Sequence, residues 1–185
     1  MDAPATTQAH APAASGGPMR ALDAHHQAVL EMLEAMNALM RRIDTRGVDD
    51  HVRSEARIVH LFFTDTALNH HLDEERHVFP ALLASGVPEL MQATRRLQQD
   101  HGWIEEDWLE LAPQLDALAR GYTTFDPDLL RHGVEIFTAL YLEHIEMEER
   151  LIYPQALLRL GPADLRTMAR DMAERRSAQR QQPAA

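Results

Sequence analysis

Two stretches of this chain repeat each other with a helical rhythm, and that repeat limits the possible folds more than any other feature. Leu22, His26, Val29, Leu33, Met36, Met40 and Ile43 follow a 4-3 spacing, and Leu97, His101, Ile104, Trp108, Leu111, Leu115 and Leu118 repeat it 75 residues later. Such a spacing places one apolar face on a helix. Both faces are broken once, at the same place, by a His. A second pair of phrases recurs at an offset of 74, HHLDEERHVFP at residues 70–80 and HIEMEERLIYP at 144–154. In each, a His is followed four residues later by a Glu, and an aromatic and a Pro close the phrase. Each belongs to a further helical stripe: Val59, Phe63, Thr66, His70, Glu74 and His77 in one, Leu130, Phe137, Leu140, His144, Glu148 and Leu151 in the other.

The pattern reads as two helical hairpins, 20–87 and 95–161, related by an internal duplication. Gly, Pro and Asp mark turns at 44–50, 84–88 and 121–127, and short turns between long helices favour antiparallel neighbours. The expected fold is all-α, an antiparallel up-down-up-down four-helix bundle over residues 20–160 with helices near 52–83 and 127–158 as its second and fourth members. Pro80 and Pro154 should kink or end those helices, with another turn of helix beyond. Residues 161–185 hold a short amphipathic helix from Ala163 to Arg176, opened by Pro162 and buried through Leu165, Met168 and Met172, and then a tail. Residues 1–19, rich in Ala, Pro, Thr and Gly, read as a disordered N-terminal tail.

Composition excludes several chemistries. The chain has 185 residues, enough for one domain with a full core. It has no Cys, which rules out disulfides, thiolate catalysis and Cys-ligated zinc or iron–sulfur sites. A net charge of −11 and a pI of about 5.4, with no basic stripe, argue against nucleic acid as a partner. All 18 basic residues are Arg, for which we have no physical account. No apolar run reaches the ~18 residues of a membrane span, and the N-terminus lacks the pattern of a secretory signal. A soluble, cytoplasmic protein is expected.

The four repeated His residues also share a depth. Counted from the turns, His26 and His70 lie at matching levels of one hairpin and His101 and His144 at matching levels of the other, so all four imidazoles should converge. Glu74 and Glu148 stack a carboxylate one turn from an imidazole on the same helix face. Buried carboxylates without partners cost several kcal/mol each, and two divalent cations remove that cost. Mixed imidazole and carboxylate donors suit iron, manganese or zinc. Iron is favoured, because paired carboxylate and His ligands inside helical bundles are typical of di-iron sites.

Neighbouring residues are sorted by the same register. The common offset selects His26 over His25. His71 corresponds to Ile145 in the repeat and is expected to be packed or partly exposed. Glu105, four residues after His101, has the spacing of a ligand but sits beside Glu106 and Asp107 on a charged face. His77 is a candidate hydrogen-bond partner to the site or a packed residue. Tyr141 either packs or donates to a bound oxygen species. Trp108 is assigned to the core, and Glu75, Glu149, Arg76 and Arg150 to surface ion pairs of little energetic weight.

The sequence resembles the hemerythrin-like HHE cation-binding domains over roughly residues 20–160. Their signature, a His on the first helix, His-x-x-x-Glu on the second, a His on the third and His-x-x-x-Glu on the fourth, is matched by His26, His70 with Glu74, His101, and His144 with Glu148. The resemblance implies a non-heme centre of two iron ions, bridged by the two Glu and by an oxo, hydroxo or water ligand. Oxygen-carrying hemerythrins have a second His four residues on in the third helix and an Asp five residues after the fourth-helix His. Here those features are replaced by Glu105 and by Glu148 at plus four. A shell one His short is richer in carboxylate, and looks more like the family's iron or redox sensors and its peroxide- or NO-handling members than like its oxygen carriers. The expected small ligand is therefore O2, NO or peroxide. The alternatives are a di-iron peroxidase or oxidase built on the same site, and a metal-free bundle serving as a scaffold.

Overall fold

The computed structural model describes residues 17–122 and 125–181, excepting the side chains of 66–68 and 179–181. All regular structure among them is helical: α1 Pro18–Arg46, α2 Asp50–His77, α3 Phe79–Leu83, α4 Pro88–Ala119, α5 Pro127–Met147, a π-helical turn Glu148–Ile152, α6 Tyr153–Leu157 and α7 Pro162–Gln181. The N-terminal tail expected at 1–19 falls outside the described residues except for 17–19, where Pro18 and Met19 already belong to α1. Thr66, assigned to a buried stripe, is among the side chains not described.

Local chemistry sets the helix ends. Pro opens α1, α4, α5 and α7, where its fixed φ suits the first turn and its missing N–H is not needed. The Asp49 carboxylate accepts from the Val52 backbone N–H at 2.9 Å, and Asp126 caps α5 through the N–H groups of Asp128 and Leu129. Gly47, at φ 74°, ends α1 while its N–H bonds to the Ile43 carbonyl, a backbone conformation that costs Gly nothing.

α1 packs on α2 and α5, and α4 on α2 and α5, so these four long helices close a ring. A fifth long helix, α7, lies on α1 and α2. At 20 residues it runs on to Gln181, well past the Arg176 expected for a short helix. Besides burying Met168 and Met172 it is fixed by charge: Arg175 and Arg176 both reach the buried Asp73 carboxylate, and Asp171 meets His77 Nε2 at 2.8 Å. His77 therefore ties α2 to α7. No described helix is long and apolar enough to cross a membrane.

The core has two apolar layers. One gathers Leu33, Phe63, Ile104, Leu115 and Phe137, and the other Leu22, Phe79, Leu97, Ile152 and Met168. Each repeated His sits along its helix between members of the two layers, so the polar residues form a sheet of charge sandwiched by hydrocarbon. Trp108, assigned to the core, is only half-buried against it, and Leu151, placed on the buried stripe, is exposed.

The Leu151 correction has a physical cause. Pro80 and Pro154 have no N–H to give the carbonyls of Arg76 and Arg150, and their rings crowd those carbonyls. In the first repeat the chain breaks at Val78, between α2 and α3; in the second it widens into the π turn, closed by Tyr153 N–H on Glu148 O. In a straight α-helix the residue five after a Glu points well away from it, at 100° per residue. The break and the wide turn bring those residues back. Ile152 and Tyr153 are buried in place of Leu151, and Phe79 and Tyr153, each five residues after a Glu, face the polar layer.

Candidate metal centre

The four helices of the ring each deliver donors to one level. His26 comes from α1, His70, His71 and Glu74 from α2, His101 from α4, His144 from α5 and Glu148 from the first residue of the π turn. All seven are buried, Glu74 and Glu148 completely, at 0 % exposure. His26 Nε2 and His144 Nε2 face Glu148 Oε2 at 3.1 and 3.2 Å, and His70 Nε2 and His101 Nε2 face the two oxygens of Glu74 at 3.4 Å each. Each Glu thus serves the His one turn before it and the first-helix His of the other hairpin. The repeat read from the sequence is a cross-connected pair in space.

The next Glu in each repeat orients an imidazole. Glu149 accepts from His26 Nδ1 at 3.1 Å, and Glu75 accepts from His101 Nδ1 at 2.9 Å. These bonds fix the tautomer and turn both Nε2 atoms inward, which is how metal-binding His residues are usually held. Glu75 and Glu149 are therefore not the surface ion pairs expected of them. Arg150 does pair at the surface, with Glu146 at 2.5 Å, and Arg76 approaches Asp171 at 3.8 Å.

Protons carry the charge balance. Burial and the neighbouring Glu148 push the Glu74 carboxyl up to about 7. Burial would raise Glu148 too, but His144 and His26 outweigh it and hold that carboxyl well below the usual range. Burial opposes charge on His101, yet Glu74 and Glu75 carry it up to about 9, and His26 is raised in the same way by Glu148, Glu74 and Glu149. His70 and His71 are held well below the ordinary His value by burial and by adjacent imidazoles, so both are neutral donors. Burial, with His26 and Arg176, lowers His25 to about 4.

The donor set could hold a metal cation. Donor atoms lie within 4.8 Å of one another in three overlapping groups: His26, His70, Glu74 and Glu148; Glu74, His101, His144 and Glu148; and His71, His101 and His144. Both nitrogens of His70, His71 and His144, together with His101 Nε2, Glu74 Oε2 and Glu148 Oε1, are buried without a hydrogen-bond partner. Orphaned polar atoms in such number are rare in protein interiors and suit the binding of a cation. Nitrogen and oxygen donors without sulfur suit iron, manganese or zinc.

The sequence matches the hemerythrin HHE cation binding domain over residues 17–156. This chain belongs to that family. It is also similar to an uncharacterized protein of Haemophilus influenzae, 28% identical over 134 residues that cover 72% of this chain and 76% of the other.

Within this hemerythrin HHE domain, all six residues singled out by the repeat are brought together, and a seventh joins them. His71, expected to be packed or partly exposed, stacks on His101 with ring centroids 3.9 Å apart and completes the three-imidazole group. Counted with His71, five imidazoles stand at this level, the fifth from α2 instead of α4. Glu105, at the α4 position, lies 3.9 Å from His71 Nδ1 with its side chain half exposed. His25 stacks on His70 at 4.2 Å but stands outside the three groups. Tyr153 was passed over, although it donates to Glu74 Oε1 at 2.5 Å and stacks on His26. The available signal was its mismatch with Phe79, a polar aromatic where the repeat has an apolar one. Tyr141 is buried among Phe63 and Phe137, and its hydroxyl has no partner.

Proposed function

We propose that this protein holds two iron ions in a non-heme centre and binds or senses a small oxidant or gas, O2, NO or peroxide. The observation that carries the proposal is the pair of completely buried carboxylates, Glu74 and Glu148, set among imidazoles of which both nitrogens of His70, His71 and His144 and the Nε2 of His101 have no hydrogen-bond partner. His26 and His70 would hold one ion and His71, His101 and His144 the other, with Glu74 and Glu148 between them. The ring of α1, α2, α4 and α5 serves as an up-down-up-down four-helix bundle, and α7 braces one side of it.

The bound pair would supply redox chemistry; the chain's own residues supply the setting. Glu75 and Glu149 orient imidazoles, Tyr153 holds a proton against Glu74, and the two apolar layers exclude water. The two-imidazole side would have fewer protein donors, which would leave an ion there open to a small ligand. Anaerobic reconstitution with ferrous iron, followed by metal analysis and a near-ultraviolet spectrum in air, tests the centre. About two iron ions per chain are expected, and well under one would refute it.

An enzyme reading, a di-iron peroxidase or oxidase, draws on one observation: an apolar cavity that reaches His71 and Tyr141. Stopped-flow mixing of the reduced protein with peroxide separates the two. Repeated rapid turnover supports the enzyme, and a single slow colour change supports the sensor.

A further inference from the structure

Between α2 and α4, over a floor supplied by α5, runs a cavity of about 700 Å³, within the range of small-molecule sites. Its residues extend along α4 from Glu105 to Arg120, roughly 22 Å at ~1.5 Å per residue. The walls are Phe63, Ile104, Trp108 and Phe137, and the end nearest the metal centre is lined by His71 and Tyr141. We propose that this groove binds an elongated, neutral, apolar molecule ending in an acceptor oxygen, which takes a hydrogen bond from the Tyr141 hydroxyl beside His71.

Each part of that description follows from a group on the cavity wall. Length and apolar walls call for an extended hydrocarbon or aromatic body. Trp108 is half-buried because one side of it faces this space and not packed core. The Tyr141 hydroxyl is buried and without a partner, a condition that costs about 1–3 kcal/mol until something accepts its proton. A tyrosine hydroxyl is un-ionised near neutral pH, and its unmatched proton is satisfied by an acceptor. In the iron-free chain, of net charge −11, Glu74, Glu148 and Glu105 disfavour an anionic head. A neutral oxygen, as in an alcohol, ketone or hydroperoxide, meets all three conditions. The groove is a feature of the helices themselves and does not depend on the metal reading.

Calorimetric titration of the full chain with 1-decanol, with and without iron, tests the proposal. Saturable binding is expected, with decanoate at least about tenfold weaker because its head is charged. Ala112→Trp, which fills the groove from half-buried Ala112 on α4, should weaken decanol about tenfold or more, and Tyr141→Phe about three- to tenfold. Absence of saturable decanol binding, unchanged affinity in both variants, or equal affinity for decanoate would overturn it. Iron content measured on the same samples keeps the two readings apart, since loss of iron with decanol binding intact counts against the metal centre alone.

Discussion

Single side chains divide the labour at the centre between holding a cation and aiming the group that holds it. His71 has two buried nitrogens without hydrogen bonds and stacks on His101, whereas Glu105 on the facing helix has a half-exposed side chain at 3.9 Å. His71→Ala should therefore weaken the binding of one ion about tenfold or more, while Glu105→Ala should leave it unchanged; competition with a chelator reads both, and the opposite pattern would assign the α4 residue as the ligand. Glu75 and Glu149 touch no candidate ion but fix the tautomers of His101 and His26. Glu75→Ala and Glu149→Ala should each reduce metal affinity about 10–100-fold with the stoichiometry kept, read by competition with a chelator. The six repeated donors were legible because the duplication marks them twice. The place of His71 was not, since an unrepeated His has no echo at Ile145, and the pairing of Glu75 and Glu149 needs a neighbouring helix that no single-chain period reveals.

Helices show the same division between what a period encodes and what packing decides. The 4-3 stripes fix where α1 and α4 run and which faces they bury, because burial repeats with every turn. The π turn at Glu148 and the break at Val78 escape such a pattern: Pro154 and Pro80 announce an interruption, but only the geometry shows that both interruptions swing a plus-five aromatic onto an imidazole. The reach of α7 was also hidden, for its anchoring lies in charge more than in apolar spacing. Arg175 pairs with Asp73, which is almost fully buried, and with Asp171 at 3.0 Å. Removing one partner of such a pair leaves the other stranded, and Arg176 at 3.5 Å compensates only in part. Arg175→Ala should cost about 1–3 kcal/mol in urea unfolding, and the double variant Asp73→Ala with Arg175→Ala should recover some of it. A double variant less stable than the sum of the single changes would show that the pair is not the anchor.

For the molecule as a whole, two carboxylates in an apolar interior must be neutralised by something, and protons and metal ions compete for that task. Without metal, the proton on His101 persists up to about 9 and Glu74 keeps its own up to about 7. Both groups have folded-state values above their unfolded ones. The stability each contributes is complete below the unfolded value and is lost as pH rises through the folded value. The metal-free chain should therefore weaken from about pH 4.5 to 7 through Glu74 and from about pH 6.5 to 9 through His101, the latter by roughly 1–3 kcal/mol. His25 acts in the opposite sense: its lowered value, about 4, makes its contribution present above the unfolded value and lost as pH falls toward 4. Cations in the site replace the proton on His101 and compete with those on Glu74 and His26, so loading near pH 7 should release at least about one proton per chain and tighten as pH rises. It should also flatten the stability profile between pH 7 and 9. Urea midpoints of chelator-treated and reconstituted protein at pH 7, 8 and 9, with pH-stat titration of metal uptake, read both effects. Parallel slopes for the two forms would mean that the buried carboxylates are balanced by something other than the ions.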